Sequence, residues 1–419
     1  MHSMNTAPMW PLPPGVGLGG AFAGVAGTDP GPLPPGDDGA AMRRALHNAL
    51  EAGGRAIPNP AVGCVVALAD GRVVDGATGA YGGLHAERAA LARLAPGEAR
   101  GATLYATLEP CSHTGRQPPC TAAIIAAGVA RCVVAVRDPH PLVDGRGIAA
   151  LRAAGIAVQV GVCGAEAAAW HAPFLLEHLT GRMVVAAKLA QTLDGAMVYA
   201  DGTSKWITGT AARAHAHWLR HLYDAVAVGA GTVLADHPAL SVRDIARPVT
   251  RQPVRVVFDP RGRLASLGVA AWRDWPLFDG AAPVVVVSGA APPDPATWPA
   301  AWLAERRVLV VPTVDASVEA MLAALGGAEV VAFLGRRLQS LMVEGGPRLL
   351  GLLAAAGRID LLHVFVAPKL AGPGGTRPGW AEAKGGMTQL SANPVGADVL
   401  LEFARTELAD RLLSLAQPS

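Results

Sequence analysis

The sequence predicts an α/β protein built from two successive domains, and three observations carry that expectation. The chain has 419 residues, more than one typical core holds, so two domains of roughly 150–200 residues are expected. Short apolar runs alternate with stretches of helical period, the pattern of strands covered by helices around a largely parallel sheet. The alternation occurs twice, on either side of a purely helical stretch, and no repeat relates the two halves.

Taken in order, residues 1–38 are rich in Pro and Gly without a period (PLPPGVGLGG, PGPLPPGDD) and are expected to form a disordered extension. Gly15, Gly17 and Gly20 there satisfy G-x-G-x-x-G, but prolines precede them where a nucleotide loop needs a strand, so the match is compositional. A first domain is expected over 39–164. AAMRRALHNALEAG reads as an amphipathic helix stopped at Gly53–Gly54, and AVGCVVAL as a buried strand. A turn at Asp70–Gly71 leads to RVVDGAT; HAERAALARL is helical, ATLYATLEP a strand, CTAAIIAAG a helix stopped at Gly128. RCVVAV, GIAALRAAG and IAVQVGV continue as strand, helix and strand. AEAAAWHAPFLLEHLTG, about 165–181, is expected to be a helical connector. The second domain, 182–415, is expected to contain the strands MVVAAKLAQ, DAVAVGAG, PVRVVFD, PVVVVSG, RVLVVP, LMVEGG and DLLHVFVA.

Composition narrows the function. The net charge is +2 and aromatics are 5%, with neither the basic stripe nor the stacking platform of a nucleic-acid binder. No apolar run reaches the ~20 residues of a membrane span, and the first residues lack the charged start of a signal peptide. Five cysteines (Cys64, Cys111, Cys120, Cys132, Cys163) are too few and too odd for a disulfide framework. A cytoplasmic enzyme acting on a small molecule is expected, without nucleic-acid or membrane partners. Only four of the 35 basic residues are lysine (Lys188, Lys205, Lys369, Lys384), so a lysine suggests a place needing a compact ammonium; Lys384, in a Gly-rich loop, reads as chance, and Lys188 and Lys205 are the candidates carried forward.

The first chemical constellation is His85-Ala86-Glu87, Pro110-Cys111 and Cys120. Catalytic zinc takes three protein ligands and leaves one position for water, whose pKa it lowers to about 7. One His and two Cys supply such a set, and Glu87 stands close enough to shuttle a proton without ligating. His85 and Cys120 fall at helix starts, where exposed N–H groups favour a thiolate. H-x-E…P-C-x-x-C is the signature of zinc deaminases, although eight residues rather than two separate the cysteines here. His113 is the alternative fourth ligand of a closed structural site. Cys64, Cys132 and Cys163, in or beside apolar strands, read as small core residues.

The second constellation is spread over the C-terminal half. LMVEGGPRLLGLL and DAVAVGAGTVLAD each read as a strand, a glycine turn and a helix, which is how a parallel sheet presents backbone amides to a dinucleotide; a plain tight turn is the bland reading of each. Lys188 ends an apolar strand, and Asp194-Gly195 and Ser204-Lys205-Trp206 fall in turns, a set suited to a substrate with phosphate and sugar hydroxyls. His215, His217 and His221 resemble a metal cluster by spacing, but no carboxylate or Cys accompanies them, and exposed helix positions are expected.

With both halves read, residues of about 40–410 resemble the bifunctional deaminase–reductases of riboflavin biosynthesis. The stretches that carry the resemblance are PNPAVGCVV (58–66), HAE (85–87), GATLYATLEPCSHTGRQPPC (101–120) and DPHPLVDGRG (138–147), then KLAQTLDG (188–195), SKWITG (204–209), VGAGTVLADHPALSVR (228–243), QPVRVV (252–257), VEGGPRLLGLLAAAGRID (343–360) and APKLAG (367–372). The eight-residue cysteine gap is that family's own form. The resemblance implies a cytidine-deaminase-like N-terminal fold and a dihydrofolate-reductase-like C-terminal fold. It implies deamination of a diamino-ribosylamino-pyrimidinone 5′-phosphate, then NADPH reduction of the ribosyl group to ribityl.

By the same resemblance zinc falls to His85, Cys111 and Cys120, proton transfer to Glu87, and part of the pyrimidine site to Asn59. Reductase substrate contacts fall on Ser204, Arg220, Leu240, Arg243 and Glu344, and NADP contacts on Gln191, Trp206, Thr232, Asp236 and the turn at Gly346. Lys188, Asp236 and Glu344 would surround the sugar carbon that is reduced, and a homo-oligomer is the expected assembly. Gln191-Thr192, His237 and His140 depart from the family pattern, as does the N-terminal extension. Two other readings stay open: a paralogue deaminating a related pyrimidine or pteridine with an impaired reductase, and a zinc-structured binding module without turnover.

Overall fold

The structure is a computed structural model that describes residues 33, 36–203, 205–245, 248–267, 269–289, 298–380, 383 and 385–417. The glycines at 15, 17 and 20, nearly all of the 1–38 stretch, and Ser204 lie outside the described residues. The rest divides into two compact units. One runs to Arg182 and takes in the chain again from Glu407; the other is Met183–Thr406.

The first unit is built on a five-stranded sheet of order β2-β1-β3-β4-β5. Its strands are β1 (Gly63–Ala67), β2 (Val73–Ala77), β3 (Thr103–Ala106), β4 (Arg131–Val134) and β5 (Ala157–Val160). The sheet is mixed rather than largely parallel: β1 runs antiparallel to both β2 and β3, and only β3-β4-β5 are parallel. The reason is local. Asp70–Gly71 makes a tight hairpin in which Gly71 has φ +88° and the Asp70 carboxylate accepts the Arg72 N–H at 3.0 Å, whereas parallel strands need a helical crossover.

The helix Asp38–Ala52 is capped by Asp37, whose side chain accepts the Ala40 N–H at 2.8 Å. It buries Ala41, Met42, Ala45 and Ala49 against β1. Cys64 and Cys132 lie fully buried within β1 and β4, as small core residues should. The stretch read as a connector is two helices, Gly164–Trp170 and Ala172–Thr180, and belongs to this unit; Trp170 Nε1 donates to the Ala61 carbonyl at 2.8 Å. So does the last helix, Thr406–Ser414. Arg411 donates to the Leu179 carbonyl at 2.6 Å, and the Arg137 N–H to the Leu415 carbonyl at 2.9 Å. A second domain drawn as 182–415 therefore runs past the structural division.

The second unit has a nine-stranded sheet of order β10-β9-β8-β7-β11-β6-β12-β14-β13 among the described residues. The seven apolar runs expected as strands form β6 (Val184–Thr192), β7 (Ala225–Gly229), β8 (Val254–Asp259), β9 (Val284–Ser288), β10 (Val308–Pro312), β11 (Ser340–Val343) and β12 (Leu361–Ala367), all mutually parallel. An antiparallel hairpin, β13 (Met387–Val395) and β14 (Asp398–Arg405), completes the edge against β12. One face packs Val185, Ala187, Val256, Leu341 and Val343 against the helices Val318–Leu325 and Pro347–Ala355.

Candidate functional site

In the first unit three ligand atoms converge. His85 Nδ1 lies 3.5 Å from Cys111 Sγ and 3.4 Å from Cys120 Sγ. Tetrahedral zinc, with Zn–N near 2.0–2.1 Å and Zn–S near 2.3 Å, would space N and S about 3.5 Å apart, so the donors and their spacing fit that metal. Among the described residues this trio is the one cluster of three or more His, Cys, Asp or Glu side chains able to hold an ion. His113 does not join it; its ring stacks on His140 with centroids 5.9 Å apart.

Local structure explains the convergence. His85 is the N-cap of the helix Ala86–Leu91, which lies on β2 because Gly76 carries no Cβ: one there would stand 2.2 Å from the Ala86 carbonyl oxygen. Cys120 opens the helix Cys120–Ala126, and its N–H donates to Cys111 Sγ at 3.4 Å. The Cys111 thiol is pulled well below its ordinary range, first by its hydrogen bond with the Cys120 side chain and then by His85. A thiolate at that position is what a metal requires. Glu87 is buried at 4% exposure in the first turn of the helix Ala86–Leu91, and burial, then the Cys111 charge, pushes its carboxyl up.

Sequence reasoning missed how Cys111 is held. Glu109, at 4% exposure, accepts four backbone N–H groups: Gly147 at 2.8 Å, Gly145 and Ile148 at 3.1 Å, and Asp138 at 3.2 Å. It ties the 138–148 loop to the segment carrying Cys111. The signal was present, a Glu two residues before a ligand Cys, but a carboxylate satisfied by distant amides leaves no trace in spacing.

A cavity of 290 Å³ opens over His85 and Cys111, lined by Asn59, Tyr81, Glu87, Arg116, Asp138 and Phe174 among others. Phe174 comes from the helix Ala172–Thr180, so the supposed connector is a wall of this cavity. Arg116 lies over the Tyr81 ring at 4.5 Å.

In the second unit the Glu344 carboxylate meets Arg220 at 2.5 and 3.0 Å and Lys188 Nζ at 3.8 Å. Burial pushes Glu344 up, but Arg220 and Lys188 together outweigh it and hold the carboxyl at about 2. Burial lowers Lys188 and Glu344 opposes that fall. Arg220 lies on the helix Thr210–Leu222 and also donates to the Ser241 carbonyl at 2.8 Å. Leu240 is buried with φ +49°, and Arg243 is exposed, donating to Ser241 Oγ at 3.1 Å. Asp236 is exposed at the end of the helix Ala230–Asp236, and among the described residues no ion pair or hydrogen bond joins it to the Lys188–Glu344–Arg220 cluster.

His215, His217 and His221 are buried, not exposed as expected. Their helix presents its His-bearing face inward: His215 meets the Phe365 ring edge-on, and His217 Nδ1 is hydrogen-bonded to the Ser241 carbonyl at 2.9 Å. The three do not form a metal cluster.

The glycine turns after β7 and β11 line one cavity of 310 Å³, with Gly229, Gly231, Thr232 and Gly346 in its wall. Gly346 is the N-cap of the helix Pro347–Ala355. Gln191 lies on β6 opposite Val366. Trp206 is exposed beneath Arg213, whose guanidinium stands 4.4 Å above its ring, and its carbonyl accepts from Lys369 at 2.9 Å.

Comparison with known proteins agrees with both halves. The model of the cytidine and deoxycytidylate deaminase zinc-binding region matches residues 36–136, and that of the RibD C-terminal domain matches residues 183–401. The riboflavin biosynthesis protein RibD of Aquifex aeolicus is 40% identical over 334 residues, 80% of this chain and 87% of that one. The RibD of Escherichia coli is 38% identical over 343 residues, 79% and 88% of the two chains. A Thermotoga maritima crystal structure, of a diaminohydroxyphosphoribosylaminopyrimidine deaminase/5-amino-6-(5-phosphoribosylamino)uracil reductase, superposes with a TM-score of 0.70 at 33% identity, covering 88% of this chain and 98% of that one. The expected cytidine-deaminase-like first half holds, and the second half is the RibD C-terminal domain on an α/β fold. With both domain models matched in order and relatives aligned over four-fifths of its length, the chain belongs to the RibD family, the bifunctional deaminase–reductases of riboflavin biosynthesis.

Proposed function

We propose that the two activities of the family are carried by two sites of this chain, one in each unit. His85, Cys111 and Cys120 hold zinc, which supplies the Lewis acidity for hydrolytic deamination. Glu87 takes a proton from the attacking water and passes it to the departing amine, with Asn59 and the walls of the cavity orienting the pyrimidine. The observation that carries this reading is the meeting of one imidazole nitrogen and two sulfurs at 3.4–3.5 Å, beside a buried carboxylate.

In the second unit the cavity between the glycine turns binds NADPH, which supplies the hydride, with Gln191, Trp206, Thr232, Asp236 and Gly346 as its contacts. Glu344 fixes Arg220 and Lys188 in place. The Lys188 ammonium, kept dry and paired, is poised to give a proton to the sugar as the ring opens. Ser204, Leu240 and Arg243 complete the substrate site, and the enzyme works as a cytoplasmic homo-oligomer without nucleic-acid or membrane partners. Among the described residues no helix is long and apolar enough to cross a membrane.

Incubating the purified chain with the diaminopyrimidine ribosyl phosphate, with and without NADPH, tests the proposal. Ammonia release independent of NADPH, followed by NADPH-dependent gain of two hydrogens by mass, is expected. Ammonia without reduction would favour the paralogue with an impaired reductase. Neither would leave only a zinc-structured binding module.

A further inference from the structure

One face of the second unit's sheet carries a line of polar side chains through an apolar core. In the strand order β11-β6-β12-β14-β13, Lys188 stands opposite His363, His363 opposite Glu402, and Glu402 opposite Ser391. Glu344, the residue after β11, meets Lys188 from the other side. Paired residues on neighbouring strands share a face, so Glu344, Lys188, His363, Glu402 and Ser391 form one row across five strands. Ala187, Leu189, Val343 and Val364, their neighbours along the chain, point into the core of the opposite face. The helix Thr210–Leu222 covers the row, with Arg220 bonded to Glu344 and Tyr223, its C-cap, bonded to His363.

The far half of the row is fully buried, and its hydrogen bonds fix its charges. Tyr223 Oη lies 2.7 Å from His363 Nε2 and makes no other hydrogen bond among the described residues. A buried hydroxyl whose one partner can accept donates to it, so the imidazole proton sits on Nδ1. Nδ1 then donates to Glu402 Oε1 at 2.8 Å, while Ser391 Oγ donates to Oε2 at 2.8 Å and is itself held by Asn393 Nδ2 at 3.1 Å. A carboxyl that takes a donor on each oxygen, with no acceptor for a proton of its own, is the carboxylate. Burial pushes Glu402 up, and the donors from His363 and Ser391 oppose that rise.

Charge balances when the whole row is counted. Glu344 alone faces two cations, Lys188 and Arg220. The rings around them carry no charge: Phe365 lies 5.6 Å from Lys188 Nζ, His215 meets Phe365 edge-on, and His217 touches Arg220, with burial holding the two imidazoles at about 3 and about 4. Asp398, on the same face of β14, is four residues beyond Glu402 and takes the Gly209 N–H at 2.7 Å.

We propose that Glu402, held ionised behind His363, is the second counter-ion of the Lys188–Arg220 pair and keeps the Lys188 ammonium charged for reduction. Glu402 is a positioning residue that acts through Lys188, and the inference rests on reading Lys188 as the proton donor. Two strand spacings put the charges about 10 Å apart. At an effective dielectric constant of about 20, a unit charge at that distance moves a titration midpoint by about one pH unit.

The chain has four lysines, so carbon-13 NMR of the full-length protein labelled at lysine Cε identifies Lys188 as the signal lost in Lys188→Arg. In Glu402→Gln the Lys188 midpoint should fall by about one pH unit while those of Lys205, Lys369 and Lys384 stay in place. The alkaline limb of the NADPH-dependent reduction rate should move down with it. Ser391→Ala removes one donor from the carboxylate and should shift Lys188 the same way by less, which decides the matter if Glu402→Gln does not fold. An unmoved Lys188 midpoint would overturn the counter-ion, leaving the His363–Glu402 pair a structural element. Reduction that survives Lys188→Ala would overturn the proton-donor reading instead, and with it the use proposed for the charge, whatever the midpoint shows.

Discussion

The Glu109 carboxylate accepts the Gly147 N–H at 2.8 Å, and Gly147 in turn lies so close under Pro110 that a Cβ would stand 2.0 Å from the Pro110 carbonyl oxygen. The pair locks the loop that delivers Cys111 against the helix Arg146–Ala153. Gly147→Ala must push the two segments apart, and overpacking of this kind costs about 1–3 kcal/mol. Denaturant unfolding should register that loss, and the zinc content of the purified variant should fall with it. A Gly147→Ala protein with wild-type stability and metal content would show that the loop yields freely.

Lys188 and Arg220 share one carboxylate, so removing either leaves different damage. Lys188→Ala takes away the proposed proton donor while Glu344 keeps its bidentate partner. NADPH-dependent reduction should fall by about 10²–10⁴-fold and ammonia release should stay unchanged. Equal loss of both activities would contradict two independent sites.

Arg220→Ala removes the stronger partner of a carboxylate whose side chain is only 10% exposed. Truncating one side of a buried pair costs about 3–5 kcal/mol, so the variant's unfolding midpoint should drop well below that of Lys188→Ala. A smaller loss than the lysine variant shows would mean that the ion pair does not organise this site.

Acid should find the same cluster. Glu344 is held at about 2 in the fold, below its ordinary value of about 4.3. A carboxyl depressed on folding contributes stability that is fully present above its unfolded pKa and is lost as pH falls through the folded one. Glu344 should therefore help make the protein less stable between about pH 4.5 and pH 2, and Glu344→Gln should flatten that part of the stability profile. Parallel wild-type and variant profiles over this interval would remove Glu344 from the account of acid sensitivity.

What the sequence made legible was what repeats or what clusters along the chain. The parallel strands β6 to β12 announced themselves as Val-rich runs because both faces of such strands are buried. The trio His85, Cys111 and Cys120 was visible because two of its pieces lie at helix starts within 36 residues of each other. The hairpin β13–β14 was not read as strands: TQLSANPV mixes polar residues and a proline with its apolar ones, as an edge strand does. The burial of His215, His217 and His221 was hidden for a related reason, since imidazoles between alanines look polar until the sheet beneath them is known. Phe174 and Glu109 act across long sequence separations, one from a supposed connector and the other through amides 29 to 39 residues away. The Gln191-Thr192 departure is accommodated locally, because Thr192 Oγ1 donates to Asp194 at 2.5 Å and receives the Ala196 N–H at 3.0 Å.

The deaminase assignment stands or falls with the metal and its coordination. X-ray absorption at the zinc edge, on purified chain with its metal quantified, should find one zinc per chain bound by one imidazole nitrogen, two sulfurs and one oxygen donor. The same spectrum with the same zinc content is expected for Glu87→Ala, together with loss of ammonia release by about 10²–10⁴-fold. Absence of stoichiometric zinc, or a metal bound by four protein side chains, would contradict the account.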